Sequence, residues 1–174
     1  EGSWAKKVYF AELLRQATLD PQTARQVLLQ AGREIESDFE LASLLIDSAD
    51  KLLLDEPARK AYFDAARSID SDFEMRRVYS SALKRGAIGA PILAGILDAS
   101  RSIESDFELA SLLVQVANLQ PLDQTTRAPF FAALGSVDSD FEHRRVLSTL
   151  AGRRDLTPET VMRVFFSTAT STPG

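Results

Sequence analysis

The residue types best suited to chemistry in this chain are a column of aspartates and a single histidine. Asp38, Asp72, Asp106 and Asp140 recur at one constant interval, and His143 is the only histidine. Aspartates that lie close together could ligate a metal ion or share a proton as an acid–base pair. Neighbouring helices of a packed array lie on the order of 10 Å apart, which is too far for two such carboxylates to share one proton or one ion. We therefore expect these aspartates to have a structural role.

Other catalytic and cofactor-binding patterns are missing from the sequence. There is no cysteine, so thiolate chemistry and sulfur-based metal sites are excluded. No nucleophile elbow, phosphate-binding loop or dinucleotide fingerprint occurs. His143 occupies a column that holds Leu41, Met75 and Leu109 in other repeats, and such a histidine is more often packed than catalytic. The sequence predicts a protein that is not an enzyme, with no catalytic residue, no metal site and no cofactor.

A tetrapeptide returns along the chain with a strict period. Neither insertion nor deletion separates the four copies of Ser-Asp-Phe-Glu, which occupy 37–40, 71–74, 105–108 and 139–142. A fixed period between 20 and 50 residues is typical of a solenoid or array. Counting back adds a first unit that begins at Ser3 and reads Ser-Trp-Ala-Lys instead. One domain is therefore predicted over residues 3–172, and it contains five repeats: 3–36, 37–70, 71–104, 105–138 and 139–172.

Each repeat is predicted to contain two helices, and the first begins at the tetrapeptide. Serine at the cap and glutamate three residues later form a capping box. In this arrangement the serine side chain accepts from the glutamate N–H and the glutamate accepts from the serine N–H. The aspartate between them favours the positive end of the helix dipole. The phenylalanine is predicted to pack between neighbouring repeats.

Apolar spacing continues both helices of each repeat. In the second repeat, Leu41, Leu44, Leu45 and Ala49 form a stripe along one helix face. The second helices are predicted to begin near a proline or a small cap, and Pro129 predicts a kink or a late start in one of them. Their core pairs are Leu28-Leu29, Tyr62-Phe63, Ile96-Leu97, Phe130-Phe131 and Val164-Phe165. Because no segment alternates as a strand does, the predicted fold is all-α. It is a right-handed α-solenoid of five antiparallel helix pairs, with ten helices.

The pattern around the tetrapeptide resembles a known repeat. In each copy, Ser-Asp-Phe-Glu follows Ile or Val and one variable residue. It is followed either by Leu-Ala-Ser-Leu-Leu or by a segment with Arg-Arg-Val. The four copies of this longer pattern are at 35–45, 69–79, 103–113 and 137–147. This pattern is similar to a helical repeat found beside bacterial membrane sensor peptidases and other envelope proteins. The resemblance implies an α-solenoid of tetratricopeptide or HEAT type and a bacterial source, in the periplasm or the cytoplasm. It implies no activity, because such repeats are attached to many different neighbours.

The repeats also alternate, so the longer period of the sequence spans two repeats. After the tetrapeptide, the third and fifth repeats have arginine pairs where the second and fourth have small or apolar residues. These positions lie beside the core stripe, on helices that usually line the concave side of a solenoid. The candidate partner-binding residues are Arg76, Arg77, Ser80, Arg144, Arg145, Ser148, Ala42, Ile46, Ala110 and Val114. Two interpretations are open: the arginines form salt bridges with the adjacent repeat, or they bind carboxylates of a partner.

Charge and hydropathy narrow the classes of partner. The net charge of −5 argues against nucleic acid, and the second and fourth repeats, at −4 and −3, argue against base-by-base RNA reading. No run reaches the roughly 18 apolar residues of a membrane span. The expected function is a protein–protein interaction scaffold that binds a protein or peptide, an acidic one by the arginine argument, on its concave face. The alternative is a spacer or oligomerisation arm of a larger envelope or sensor protein, forming a homo-oligomer through its terminal repeats.

Overall fold

The computed structural model describes residues 2–16, 19–156, 159 and 162, and this part of the chain contains nine α-helices and no β-strand. The helices are α1 (Ser3–Arg15), α2 (Pro21–Glu34), α3 (Asp38–Leu52), α4 (Glu56–Arg67), α5 (Asp72–Leu83), α6 (Ala90–Ser100), α7 (Asp106–Leu119), α8 (Gln124–Leu134) and α9 (Asp140–Ala151). The prediction of an all-α fold is confirmed. The predicted tenth helix, with its core pair Val164-Phe165, lies outside the described residues.

The chain divides into two compact units, Glu1–Ala82 and Leu83–Gly174. In the first unit α1 packs against α2 and α3, and α4 packs against α2 and α3. In the second unit α8 packs against α6 and α7, and α7 packs against α9. Within each unit, therefore, a helix contacts both its partner in the same repeat and the equivalent helix of the next repeat. This is the packing expected of stacked helical pairs.

The first helix of each later repeat begins at the serine that the sequence predicted. The Oγ atoms of Ser37, Ser71, Ser105 and Ser139 accept hydrogen bonds of 3.3–3.4 Å from the glutamate N–H three residues later. The return half of the predicted capping box is wrong at three of these positions. There the serine N–H donates to a side chain of the preceding repeat, which is Ser3 for Ser37 and an aspartate for Ser71 and Ser139.

The aspartate of the tetrapeptide joins one repeat to the next. Asp38 accepts bonds of 3.3 and 2.8 Å from the N–H groups of the two residues that precede α5. Asp106 accepts bonds of 3.1 and 2.7 Å from the two residues that precede α9. We call each pair of bonds an Asp clamp. Because one inserted residue would move these N–H groups away from the carboxylate, the clamp gives a physical reason for the constant length of the repeats.

The predicted core stripe is buried as expected. In α3, Leu41, Leu44, Leu45 and Ala49 are at most 2% exposed, and the equivalent residues of α7 are equally enclosed. The core pairs of α4, α6 and α8 are buried as well, whereas in α2 only Leu28 of its pair is fully buried. The helical period therefore identified the core face of these helices.

The second helices begin at acidic or glycine caps. Asp20 accepts from two backbone N–H groups at the start of α2, and Asp123 forms a capping box with Thr126 in α8. The hydrogen bonds from Thr23 lower the pKa of Asp20, and those from Thr125 and then Thr126 lower the pKa of Asp123. α8 begins directly after this cap, so the predicted late start is wrong and the helix contains the proline at position 129.

In the second unit, the side chains of Gln120 and Arg153 form hydrogen bonds with the backbone at helix ends and in the loops between helices. The buried amide of Gln120 donates to the carbonyl groups of Leu83 and Gly86 at 3.0 and 2.8 Å, and it accepts from the N–H of Ile88. Gly86 has φ of 103°, a conformation that favours glycine. Arg153 donates to two carbonyl groups at the end of α7, at 2.8 and 3.0 Å. These bonds satisfy helix-end carbonyls that lack partners within the helix.

Candidate partner-binding surface

The phenylalanine of each tetrapeptide is exposed. Phe39, Phe73 and Phe107 are 54%, 52% and 54% exposed, and Phe141 is 69% exposed. We call these four residues the motif phenylalanines. The prediction that they pack between repeats is wrong. Each lies two residues before the first core position of its helix, and at about 3.6 residues per turn this places it about 200° around the helix from that position.

An arginine of the next repeat lies over one of these rings in the first unit. The guanidinium of Arg77 in α5 is 4.7 Å from the ring centre of Phe39 in α3. It donates to the Phe39 carbonyl at 3.2 Å and to the hydroxyl of Ser43 at 3.1 Å. Its Nε atom is 2.6 Å from the carboxylate of Glu74 in its own helix. Arg77 therefore joins α3 to α5, and we call this set of contacts an Arg brace.

The second unit contains an equivalent brace, two repeats further along the chain. Arg145 in α9 lies 5.3 Å from the ring centre of Phe107 in α7. It donates to the hydroxyl of Ser111 at 2.9 Å and to the Phe107 carbonyl at 3.4 Å, and it pairs with Glu142 at 2.7 Å. Both arginines thus contact the adjacent repeat, but the predicted salt bridges to that repeat are wrong for them. Their partners there are hydroxyl and carbonyl groups, and each ion pair is with a glutamate of the same helix.

The other two candidate arginines contact their own helices. The Arg76 guanidinium is 5.6 Å from the ring centre of Phe73, one turn earlier in α5. Arg144 is exposed, and its Nε atom donates to the Asp140 carbonyl at 3.4 Å. The later helix of each brace therefore carries a second arginine one turn after its motif phenylalanine, in contact with the ring at Arg76. Each unit thus contains one brace and two motif phenylalanines.

The remaining candidates from the sequence are divided between core and surface. Ala42, Ala110 and Ser80 are buried, so their side chains offer no surface to a partner. Ile46 and Val114 are half-buried. Ser148, one of the ten candidates, is exposed on α9. Only Arg144 and Ser148 of the ten are exposed, and the other three arginines are half-buried, as Ile46 and Val114 are.

The repeated aspartates and His143 do not form a metal site in the part of the chain that the structure describes. Among the described residues, no group of three histidine, aspartate or glutamate side chains is placed to hold a metal ion. The carboxylates of Asp38 and Asp106 bind backbone N–H groups of the following repeat. His143 is half-buried in the first turn of α9.

Exposure of the motif phenylalanines is the feature that sequence reasoning missed. The signal was present, because the third position of the repeat lies nearly opposite the fifth on a helix, and the fifth begins the core stripe. No protein-family model, curated protein or solved structure matches the chain. No helix within the described ranges is both long enough and apolar enough to cross a membrane.

Proposed function

We propose that this chain is a non-enzymatic scaffold that binds a peptide or protein partner. We also propose that its helix pairs belong to one right-handed α-solenoid of five repeats. The support for the solenoid is the constant interval of the tetrapeptide in the sequence, which continues without change across the boundary between the two units. The binding surface is the edge of the first helices that carries the motif phenylalanines, with the concave side of the array as the expected location.

The observation that carries this proposal is the exposure of four phenylalanines at one position of the repeat. A single exposed apolar residue is ordinary on a protein surface, but a large apolar residue exposed at the same place in successive repeats calls for an explanation. Helix initiation does not supply one, because the serine cap and the Asp clamp do not use the ring. The Arg brace uses the rings of Phe39 and Phe107 but leaves both 54% exposed. Complete burial of a phenylalanine side chain gives about 1.5–3 kcal/mol. A partner that covers these rings would gain part of that free energy.

Charge next to the rings indicates the chemistry of the partner. Arg76 lies beside Phe73, Arg144 follows Phe141 by three residues on α9, and the arginine fork suits a carboxylate. Arg77 already contacts Glu74 and the preceding repeat, so its role in the proposal is to hold a ring in place. The partner best suited to both features is an extended or helical segment in which carboxylates alternate with apolar side chains.

Selection from a library of random peptides displayed on phage would test this proposal. The purified chain is immobilised, and a variant in which all four motif phenylalanines are serine serves as the control surface. We expect peptides that combine acidic and apolar residues to be enriched on the chain but not on the variant. Failure to enrich any sequence, or enrichment of the same sequences on both surfaces, would contradict the proposal. Circular dichroism establishes that the variant is folded.

A further inference from the structure

A second surface of the first unit has different chemistry from the motif phenylalanines. An open groove of about 460 Å³ lies between α1 and α3. Its apolar part is formed by Val8, Ala11 and Leu14. Trp4, one turn before Val8 on the same face of α1, is 67% exposed and extends this apolar surface. We call this feature the α1–α3 groove.

The charged side chains around the groove are mainly cationic. Lys7, Arg15 and Lys51 line it together with only two carboxylates, those of Glu12 and Asp47. Lys7 pairs with Asp47 at 3.3 Å, and Arg15 pairs with Glu12. Lys51 donates to the Gln16 carbonyl, so each cation of the lining has a partner. With three cations and two carboxylates, the lining has a net charge of +1 in a chain whose net charge is −5. Its complement is an apolar side chain flanked by carboxylates.

Such a complement lies a few residues further along the same chain. Leu54, which follows α3, is 73% exposed, the highest value among the large apolar residues described. Asp55 and Glu56 follow it directly, and both are exposed. Asp55 stands at the cap position of α4, but its side chain makes no capping hydrogen bond, so the carboxylate is not engaged by the helix that it precedes. We call these three residues the Leu54 knob.

We propose that the α1–α3 groove binds the Leu54 knob of a second copy of this chain. Leu54 would cover the apolar surface around Val8, while Asp55 and Glu56 would face Arg15 and Lys51. The groove and the knob are adjacent, because Lys51 lines the groove and lies one helical turn before Leu54. Adjacent complementary features suit an isologous dimer, in which each copy gives its knob to the groove of the other and the assembly closes at two chains.

This dimer goes beyond the scaffold function and does not depend on it. It uses no motif phenylalanine and none of the four candidate arginines. A dimer would double the number of phenylalanine surfaces in one particle, and so increase the avidity for a partner with repeated segments. The two proposals can therefore fail separately.

Charge reversal provides a sharp test of the dimer. The groove variant carries R15E and K51E, and the knob variant carries D55K and E56K. In the groove variant, an acidic groove would meet an acidic knob, and in the knob variant a basic groove would meet a basic knob. Like charges placed face to face oppose association strongly, so each variant alone should dimerise at least about 100-fold more weakly than the unaltered chain. A mixture of the two restores opposite charges at both contacts.

Sedimentation velocity at several concentrations measures the outcome. We expect the unaltered chain to approach twice the 19.1 kDa of one copy as concentration rises. Each variant alone should remain at the mass of one copy, and an equimolar mixture should recover the dimer. L54S should weaken the dimer by about tenfold without any change of charge. An unaltered chain that stays monomeric, variants that still dimerise, or a mixture that does not recover the dimer would each overturn the proposal. Thermal unfolding of every variant establishes that it is folded.

Discussion

Two junctions in the first unit join equivalent helices by different means. Between α3 and α5, the carboxylate of Asp38 binds two N–H groups and Arg77 spans the two helices. Between α1 and α3, one bond of 3.3 Å from the Ser37 N–H to the Ser3 hydroxyl stands where the Asp clamp would be. The hydroxyl of Ser43, which faces α5, accepts from Arg77 and donates to the Phe39 carbonyl. The α3–α5 junction thus carries both the clamp and the brace. The α1–α3 junction carries the bond to Ser3, the Lys7–Asp47 ion pair and a bond from Lys51 to the Gln16 carbonyl, but no clamp and no brace.

The difference between these junctions shows what the tetrapeptide adds to a helix pair. Buried apolar residues occur on the helices of both junctions, so their burial does not require the aspartate or the arginine. The clamp fixes the distance between successive repeats and the brace holds a phenylalanine ring at the surface. The α1–α3 groove lies at the junction that has no clamp, because Trp4 stands at the aspartate position and the Ser3 hydroxyl accepts from the Ser37 N–H instead. The two proposed binding surfaces therefore correspond to the two kinds of junction.

Removal of a clamp should have the largest effect on stability. D38A leaves two N–H groups before α5 without their charged acceptor, and hydrogen bonds to charged groups contribute about 1.5–3 kcal/mol. We expect the free energy of unfolding to fall by about 2 kcal/mol, measured by urea denaturation followed by circular dichroism. D106A in the second unit should have a similar effect, because its bonds have nearly the same lengths.

The matched control for the clamp is S3A, which removes a single neutral hydrogen bond at the other junction. Its cost should be no more than about 1 kcal/mol. Equal losses for D38A and S3A would show that the two junctions do not differ in the way described here.

Removal of a brace should have the next largest effect. R77A deletes an ion pair, two bonds to the preceding repeat and a cation–π contact, all partly exposed to solvent. We expect a loss of about 1.5 kcal/mol, since exposed contacts of these kinds contribute between a few tenths and about 1 kcal/mol each. R144A, which removes an exposed arginine, is the control and should cost less than about 0.5 kcal/mol. If the two substitutions cost the same, the brace does not join the repeats.

Two buried tyrosines differ in the hydrogen bonding of their hydroxyl groups. Tyr62 donates to the Leu45 carbonyl at 2.9 Å, whereas the Tyr79 hydroxyl is buried without a partner among the described residues. We expect Y62F to destabilise the fold by about 1 kcal/mol and Y79F to be neutral or stabilising. Denaturation of both variants at neutral pH measures the difference, and a larger loss for Y79F would contradict it.

Tyr79 also predicts that the stability of the fold depends on pH in the alkaline range. Burial raises the pKa of Tyr79 above its ordinary value near 10. The Tyr79 phenol therefore stays neutral in the folded state at a pH where the same group ionises in the unfolded chain. Its contribution to stability is complete below about pH 10 and is lost as the pH rises further. Between about pH 9 and 11, the unaltered chain should lose stability more steeply than Y79F.

The smallest expected effect is a gain at the weaker junction. S3D places a carboxylate close to the N–H of Ser37, one position before the place of the clamping aspartate, which Trp4 occupies in the first repeat. We expect a stabilisation of about 0.5 kcal/mol, since only one N–H bond is replaced by a charge-assisted one. The melting temperature measures this gain, and a decrease would show that the α1–α3 junction cannot accommodate the clamp.

The sequence predicted the helices, the serine caps and the core stripe because each depends on local spacing. Leu41, Leu44 and Leu45 lie on the predicted face, and α3 begins at the predicted cap. Contacts between repeats were not predictable in the same way. The carboxylate of Asp38 was assigned to its own helix dipole, although it binds N–H groups at the start of the next repeat. The prediction that Phe39 packs between repeats is wrong because its angular position on the helix, nearly opposite the core stripe, leaves it exposed.

The central claim is that the motif phenylalanines are the contact surface for a partner, and calorimetric titration of one library-selected peptide tests it most directly. The peptide is titrated into the unaltered chain, into F39S/F73S, into F107S/F141S and into L119S. Leu119 is 49% exposed and lies outside the tetrapeptide, so L119S is the matched control. We predict that each double variant weakens binding at least about tenfold, the equivalent of about 1.4 kcal/mol, while L119S binds as the unaltered chain does. Equal affinity for all four proteins would contradict the claim.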